Sequence, residues 1–260
     1  MIGMFDSGIG GLAILDAMGR LLPRADITYL ADTAAFPYGP KSPEFVIGRC
    51  ERISRLLIGR GAEVIVVACN TATVVAIEHL RARFAETPFV GVEPAVKVAA
   101  SNGQSGPIYV LMTANTAAGG KYAALVERHG GGRAVHPVVI DMLAPAVEDG
   151  SFRTPEVADE IRRKLKQEIG DPPAGSQLVL GCTHYIFLKD LLRESLGPDV
   201  EILEPSDAVA RQTERVLHQQ GADTSAGSGR LSLLCTSPAG IDKRFIAGME
   251  LPGCEHITLD

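Results

Sequence analysis

The sequence predicts an α/β protein made of two similar domains, each with a mainly parallel sheet. Short apolar runs alternate with amphipathic stretches along the 260 residues, as in strands joined by helical crossovers. The runs VIVVA and LVLG lack polar alternation, which is typical of strands covered on both faces. One layout, an apolar run followed by a cysteine, a threonine and a helix, occurs at both 63–81 and 177–194. We therefore expect two halves related by a pseudo-two-fold axis, with an active site in the cleft between them.

The individual elements follow from the apolar pattern. Strands are predicted at 2–5, 27–31, 64–68, 89–92, 108–112, 134–140, 178–181, 201–203 and 231–235. Helices are predicted where apolar side chains recur at helical spacing: Val46, Cys50, Ile53 and Leu57; Val74, Ile77, Leu80 and Phe84; and Val157, Ile161 and Leu165. We expect one domain over 1–97 plus 204–260 and the other over 98–203, with hinges near 92–98 and 203–207.

Composition excludes several classes of function. The chain has 25 Lys and Arg against 31 Asp and Glu, a formal net charge of -6, which argues against general nucleic-acid binding. The longest uncharged apolar-rich stretch, 64–77, has about 14 residues, whereas a membrane span needs about 20. Five cysteines do not suggest a disulfide framework, and the first residues lack a secretory signal. A cytoplasmic protein with reduced thiols is expected.

The predicted chemistry depends on two of these cysteines. Cys69 and Cys182 each follow a predicted strand, at the sheet edge where open α/β sheets bind ligands. A helix N-terminus beside a thiol favours the thiolate, and the neighbouring Asn70, Thr71, Thr183 and His184 add polar groups. A thiol and a thiolate on opposite faces of a carbon centre could invert it. The alternative, a redox disulfide, usually uses cysteines close in sequence, and no C-x-x-C motif is present.

The first strand ends in FDSGIGG. Asp6 and Ser7 are polar, and Gly8, Gly10 and Gly11 let the backbone turn tightly and approach a ligand. Residues 8–13 also fit the dinucleotide pattern G-x-G-x-x-A, with Asp32 ending the second strand. An NAD-dependent oxidoreductase is therefore a rival interpretation, although Asp6 would repel a pyrophosphate. A non-catalytic protein that closes on a small amino acid is a third.

The loop FPYGPKSPE offers the Tyr38 hydroxyl and the backbone around Gly39, and Pro43-Glu44 begins a helix. Lys41 is the only cation noted near these motifs, so anion binding would depend on N–H groups and hydroxyls. No Walker motif or zinc-spaced cluster stands out, and neither a metal nor a cofactor is expected. Structural roles are expected for Cys50, Cys235 and Cys254.

Five segments occur along the chain in a characteristic order: FDSGIGGLAIL, DTAAFPYGPKS, VVACNTAT, GVEP and LGCTHY. Together they resemble the glutamate racemases. The resemblance implies cofactor-free interconversion of L- and D-glutamate, with D-glutamate supplied for peptidoglycan. It also implies glutamate as the small-molecule partner, no nucleic-acid or membrane partner, and a possible homodimer.

By matching position, the resemblance implies that Cys69 takes the proton from D-glutamate and Cys182 takes it from L-glutamate. It gives Asp6 and His184 the role of assisting the respective thiols. Substrate-contacting positions are implied for the following residues: Asp6, Ser7, Tyr38, Gly39, Asn70, Thr71, Thr113, Thr116, Glu148, Thr183 and His184.

The sequence departs from the family pattern in the second domain. Ile186-Phe187 stand where Pro-Leu is usual, and IDMLAP at 140–145 lacks a common cysteine-proline start. These positions concern the pocket for the substrate side chain, and therefore the choice of substrate or the rate. Aspartate and hydantoin racemases share the fold and the paired cysteines, so a racemase of the same fold acting on aspartate or another small amino acid is the alternative.

Overall fold

The computed structural model describes residues 1–238, 241 and 252–259. Its contacts divide the chain into two compact units. Unit 1 comprises Met1–Val92 with the described residues from Ser206 onward, and unit 2 comprises Glu93–Pro205.

The elements are named in chain order. Residues 1–92 form β1 (Ile2–Asp6), α1 (Leu12–Leu21), β2 (Ile27–Ala31), α2 (Pro43–Gly59), β3 (Val64–Val67), α3 (Asn70–Arg83) and β4 (Phe89–Gly91). Unit 2 forms α4 (Val96–Ser101), β5 (Ile108–Met112), α5 (Ala114–Ala118), α6 (Gly120–His129), β6 (Val135–Val139), α7 (Leu143–Glu148), α8 (Pro155–Glu168), β7 (Gln177–Gly181), α9 (Lys189–Leu196) and β8 (Glu201–Leu203). It also has short 3-10 segments at Ser151–Arg153 and Thr183–Leu188. The last part forms α10 (Ser206–Gln219), β9 (Leu231–Cys235) and β10 (Cys254–His256).

Each unit contains a parallel sheet. In unit 1 the described strands have the order β10-β9-β2-β1-β3-β4, and in unit 2 the order is β6-β5-β7-β8. All eight strand pairings are parallel. The expected α/β class with parallel sheets is therefore confirmed. The central strands β1, β2 and β3 are buried along their whole length, which explains their unbroken apolar sequences.

Helix α2 shows how the sequence determines its elements. The Ser42 side chain caps it by accepting a hydrogen bond from the Phe45 N–H at 3.3 Å, and Pro43 occupies the first turn. The predicted apolar face is buried, together with Ser54, and packs in the core cluster of unit 1.

Two features differ from the sequence prediction. Strand β10 was not predicted, because its sequence CEH has no apolar run to mark it. A helix was expected directly after Cys182, but residues Thr183–Leu188 form a 3-10 segment and the α-helix begins only at Lys189. Five of those six residues are β-branched, aromatic or His, which lowers their helix propensity.

Candidate active site

In unit 1, the register of the parallel strands brings the polar strand ends to one edge of the sheet. Asp6 pairs with Ala31, and Phe5 pairs with Val67. Asp6 and Ser7 after β1, Asp32 after β2 and Cys69 after β3 therefore meet at the carboxyl edge. This is the edge at which the sequence predicts a ligand site.

Cys69 is the N-cap residue of α3. Its sulfur accepts a hydrogen bond from the Ala72 N–H at 3.5 Å and lies 3.8 Å from the Ser7 hydroxyl. The Ser7 hydroxyl in turn lies 3.2 Å from a carboxylate oxygen of Asp6. A hydrogen-bonded chain therefore links the thiol to a fully buried carboxylate. The N–H groups and dipole of the 14-residue α3 favour negative charge on this sulfur.

Asn70 and Thr71 begin α3 and are both buried. The Asn70 side-chain amide donates to the Val92 carbonyl at 3.5 Å, whereas its Oδ1 atom has no hydrogen-bond partner among the described residues. An unpaired buried carbonyl oxygen costs about 1–3 kcal/mol. A ligand N–H group that reached Asn70 Oδ1 would recover that energy.

Tyr38 is buried, and its hydroxyl donates to Asp32 Oδ2 at 2.6 Å. Burial raises the pKa of Tyr38 well above 10.0, and the nearby Cys50, Asp32 and Cys69 raise that pKa further. Gly39 beside it is half-buried. The ring belongs to the same buried cluster as Cys69, while the hydroxyl that we expected to contact a ligand donates to Asp32.

In unit 2, Cys182 follows β7 and Thr113 follows β5, at strand ends paired through Met112 and Gly181. Cys182 is 8% exposed, close to the 6% of Cys69. The Thr113 and Thr116 hydroxyls lie 3.0 Å apart, and Thr116 is fully buried. Thr183 is also buried. The expected polar residues of unit 2 therefore gather at its carboxyl edge.

His184 links Cys182 to Glu148. Its Nε2 atom lies 2.7 Å from Glu148 Oε2, and the ring also hydrogen-bonds the Cys182 side chain. Burial alone lowers the pKa of His184, but the bonds to Cys182 and Glu148 outweigh it and raise the pKa well above 6.5. Glu148 had been expected to contact the substrate. The structure pairs it with the histidine.

The two thiols therefore have different surroundings. Cys69 accepts a hydrogen bond from an N–H group of α3 and connects through Ser7 to Asp6. In the part of the chain that the structure describes, no helix N–H caps the Cys182 side chain, which hydrogen-bonds His184. In both units the group that contacts the thiol also contacts a carboxylate: Ser7 contacts Asp6 in unit 1, and His184 contacts Glu148 in unit 2. Each arrangement can take a proton from the cysteine sulfur and return it.

Two residues of the unit 1 site were not predicted to matter there: Asp32 and Arg49. Asp32 had been noted only as the acidic residue that ends the second strand in the dinucleotide interpretation. Its carboxylate instead accepts hydrogen bonds from Tyr38, Arg49 and Thr236. The Gly8–Gly11 turn is also used internally, since the Tyr29 hydroxyl donates to the Gly8 carbonyl at 2.6 Å.

Comparison with known proteins identifies the family. A model of the Asp/Glu/hydantoin racemases matches residues 10–213. The chain is 40% identical to the glutamate racemase of Pseudomonas syringae pv. tomato over 239 residues, which are 91% of this chain and 85% of that protein. It is 42% identical to that of Herpetosiphon aurantiacus over 217 residues, 83% of this chain and 84% of that protein. This chain belongs to the Asp/Glu/hydantoin racemase family.

Solved structures of this racemase family agree. Escherichia coli glutamate racemase, crystallised with L-glutamate and the activator UDP-MurNAc-ala, is 28% identical, with a TM-score of 0.86 over 99% of this chain and 98% of that one. Isoform RacE1 from Bacillus anthracis is 27% identical, with a TM-score of 0.85 over 100% and 97%. The resemblance inferred from the motifs is confirmed.

Within the described residues, no group of three or more His, Cys, Asp or Glu is arranged to hold a metal ion. None of the helices in the described ranges combines the length and apolar character needed to cross a lipid bilayer.

Proposed function

We propose that this racemase interconverts L- and D-glutamate without a cofactor, with Cys69 and Cys182 as the two acid/base groups. The observation that carries the proposal is that each unit places one buried thiol at the carboxyl edge of its sheet, hydrogen-bonded to its own polar partner. The 40% identity to a glutamate racemase supports glutamate as the substrate.

The reaction moves one proton at a time. With L-glutamate, the Cys182 thiolate removes the α-proton and becomes a thiol, and the Cys69 thiol protonates the carbanion from the opposite face and becomes a thiolate. With D-glutamate the two sulfurs exchange roles. Protonation states are restored by exchange with solvent, so atoms and charge balance in both directions.

The difficulty is that an α-proton beside an ionised carboxylate is weakly acidic. Buried N–H donors and hydroxyls stabilise developing negative charge better than water does, because they are already oriented. We assign the carboxylate contacts to Thr113, Thr116 and Thr183 of unit 2 and to the Gly39 backbone. Asn70 Oδ1, which has no partner within the described ranges, suits the substrate ammonium group, which would supply an N–H donor.

His184 and Asp6 assist the thiols in this scheme. His184, held by Glu148, donates to Cys182 and stabilises its thiolate. Asp6 acts on Cys69 through Ser7, because the Ser7 hydroxyl lies between the carboxylate and the sulfur. The remaining contact, Thr71, is buried in the first turn of α3 beside Cys69.

The decisive experiment follows glutamate racemisation in heavy water with no added cofactor. We expect optical rotation to fall to zero from either enantiomer, with deuterium at the α-carbon of the product. Aspartate serves as the competing substrate, and added NAD should not change the rate. No turnover of L- or D-glutamate would refute the proposed activity, and faster turnover of aspartate would favour the alternative substrate.

One-thiol variants test the mechanism separately from the activity. Cys69→Ala and Cys182→Ala should each slow racemisation by at least about 100-fold, because one general acid/base group contributes roughly 10²–10⁴-fold. Cys182→Ala should still exchange the α-proton of D-glutamate with solvent, and Cys69→Ala that of L-glutamate. Cys254→Ser is the matched control and should keep the parent rate. Near-parent racemisation by both alanine variants would exclude the two-thiol mechanism.

We further propose that the enzyme supplies D-glutamate for peptidoglycan in the cytoplasm, where its five free cysteines stay reduced. A bacterial strain that needs external D-glutamate should grow without it when it expresses this chain. Expression of Cys182→Ala at the same level should not rescue growth. Rescue by that variant would separate the growth effect from racemisation.

A further inference from the structure

A buried carboxylate, Asp32, joins three segments around the unit 1 site. It is fully buried at the end of β2 and accepts hydrogen bonds from the Tyr38 hydroxyl at 2.6 Å and from Arg49 Nε at 2.8 Å. A second guanidinium nitrogen of Arg49 completes a two-bond ion pair, and the Thr236 hydroxyl donates at 2.7 Å. These hydrogen bonds connect the loop that contains Tyr38, helix α2 and the end of β9 to the Asp32 carboxylate.

The segments are also linked around this point. Thr236 accepts a hydrogen bond from the Ala34 N–H at 3.0 Å, and the Asp32 N–H donates to the Asp6 carbonyl at 2.9 Å. Arg49 has only 15% of its side chain exposed, so its charge is screened little by water. Hydrogen bonds from Arg49 to Asp32 raise the pKa of the guanidinium further, and it stays charged.

Tyr38 connects this ion pair to the catalytic thiol. Its ring belongs to the same buried cluster as Cys69, and Cys69 is near enough to raise the pKa of the phenol. One end of Tyr38 is therefore fixed on Asp32, and its ring belongs to the cluster that contains Cys69. Displacing Asp32 or Arg49 would remove the hydrogen-bond partners that fix Tyr38 within this cluster.

We propose that Arg49 and Asp32 are positioning residues for Cys69: their buried ion pair holds Tyr38 in place and balances the charge beside that thiol. The catalytic meaning of this pair rests on the proposed function, whereas its effect on the thiol itself does not. Neither residue touches the reacting atoms in this scheme. They act through Tyr38.

The charges near Cys69 determine whether each variant should favour or oppose formation of its thiolate. Among the described residues, Ser7 connects the Asp6 carboxylate to Cys69, and Tyr38 connects the Asp32 carboxylate and the Arg49 guanidinium to the cluster that contains Cys69. The neutral side chain of Cys50 belongs to that cluster too. Removing Arg49 leaves uncompensated negative charge, which opposes thiolate formation. Removing the Asp32 charge leaves an uncompensated cation, which favours the thiolate.

The test measures the pH at which alkylation of Cys69 by iodoacetamide reaches half its maximal rate, read by peptide mass spectrometry. Arg49→Met should raise this midpoint and Asp32→Asn should lower it, each by about half a pH unit or more at the dielectric of a buried site. The double variant, with both charges removed, should return near the parent value. Arg49→Lys, which keeps the charge, should also stay near it.

Matched controls separate charge from loosened packing. Arg55→Met lies on the same helix, removes an exposed ion pair with Glu51 and should leave the midpoint unchanged. The midpoint of Cys182 in unit 2 should not move in any variant. If Arg49→Met fails to fold, Asp32→Asn and the double variant still give the sign. Midpoints that shift in the same direction for both single variants, or do not shift, would overturn the proposal.

A second readout uses the substrate. In the Cys182→Ala background, Arg49→Met should slow α-proton exchange of D-glutamate at least about tenfold. In the Cys69→Ala background it should change exchange of L-glutamate by less than about twofold. Equal losses in both backgrounds would show a merely structural role. A parent enzyme with no activity on glutamate would refute the proposed function, while the alkylation midpoints would still decide whether the ion pair acts on Cys69.

Discussion

Glu148→Gln should slow removal of the α-proton by Cys182 and leave removal of the α-proton by Cys69 nearly unchanged. Glu148 accepts a hydrogen bond from His184 at 2.7 Å, and His184 hydrogen-bonds the Cys182 side chain. Glutamine keeps the size of the side chain but removes its charge. The histidine then binds a proton less tightly and stabilises the thiolate less.

The magnitude follows from the burial of the pair. The His184 side chain is 2% exposed and that of Glu148 is 16% exposed, so water screens their interaction little. A hydrogen bond to a charged partner contributes about 1.5–3 kcal/mol. If about 2 kcal/mol of it is lost on the way to the transition state, the rate falls about 30-fold, because each 1.36 kcal/mol is tenfold.

Solvent exchange of the α-proton is the appropriate assay, because it follows one thiol at a time. In the Cys69→Ala background, Glu148→Gln should slow exchange of L-glutamate about 30-fold. In the Cys182→Ala background, exchange of D-glutamate should change by less than about twofold. Glu156→Gln, an exposed acid of α8, is the control and should change neither rate.

The reasoning would be refuted if Glu148→Gln left L-glutamate exchange at the parent rate. It would also be refuted by equal slowing in both backgrounds, since that would mean that Glu148 supports the fold and not the thiol of its own unit.

Three further predictions concern stability. Because the pKa of His184 is raised in the folded protein, its pair with Glu148 stabilises fully below pH about 6.5 and is lost as pH rises through the raised pKa; the melting-temperature gap between parent and Glu148→Gln should therefore shrink towards alkaline pH, and a gap that widens would contradict this. Thr73→Val removes a buried hydroxyl that donates to the Val67 carbonyl at 3.2 Å and accepts from the Val92 N–H at 3.1 Å; urea unfolding should show a loss of about 1–3 kcal/mol that Thr73→Ser avoids. Gly11→Ala would place a methyl group 2.9 Å from the Tyr29 ring and should cost about 1–3 kcal/mol in the same assay, whereas Gly19→Ala, with open space around it, should cost nothing.

Local pattern was enough to predict most of the fold. The strand at 27–31 and the buried face of α2 agree with the structure residue by residue, because burial on a strand or helix repeats with a fixed period. The same reasoning placed Cys69 and Cys182 at strand ends. The short β10 and the 3-10 segment after Cys182 lack such a period, and were missed or misassigned.

Partners distant in the sequence could not be predicted. Asp32 is bound by Arg49, 17 residues later, and by Thr236, 204 residues later. Nothing in a single sequence signals that these three side chains meet. The same is true of Glu148 and His184, which are 36 residues apart. Strand ends could be located from the pattern, but the charges that tune each thiol depend on tertiary packing.

Only some measurements can reveal that the two thiols have unequal surroundings. L- and D-glutamate are mirror images with equal free energy in water, so the equilibrium constant for racemisation is one. The kcat/KM values for the two directions must then be equal in the parent and in every variant, however different Cys69 and Cys182 are. Damage to either thiol lowers both values together. An asymmetry between the Asp6–Ser7 chain of one unit and the Glu148–His184 pair of the other can therefore be seen only in separate kcat or KM values, in proton exchange or in thiol reactivity.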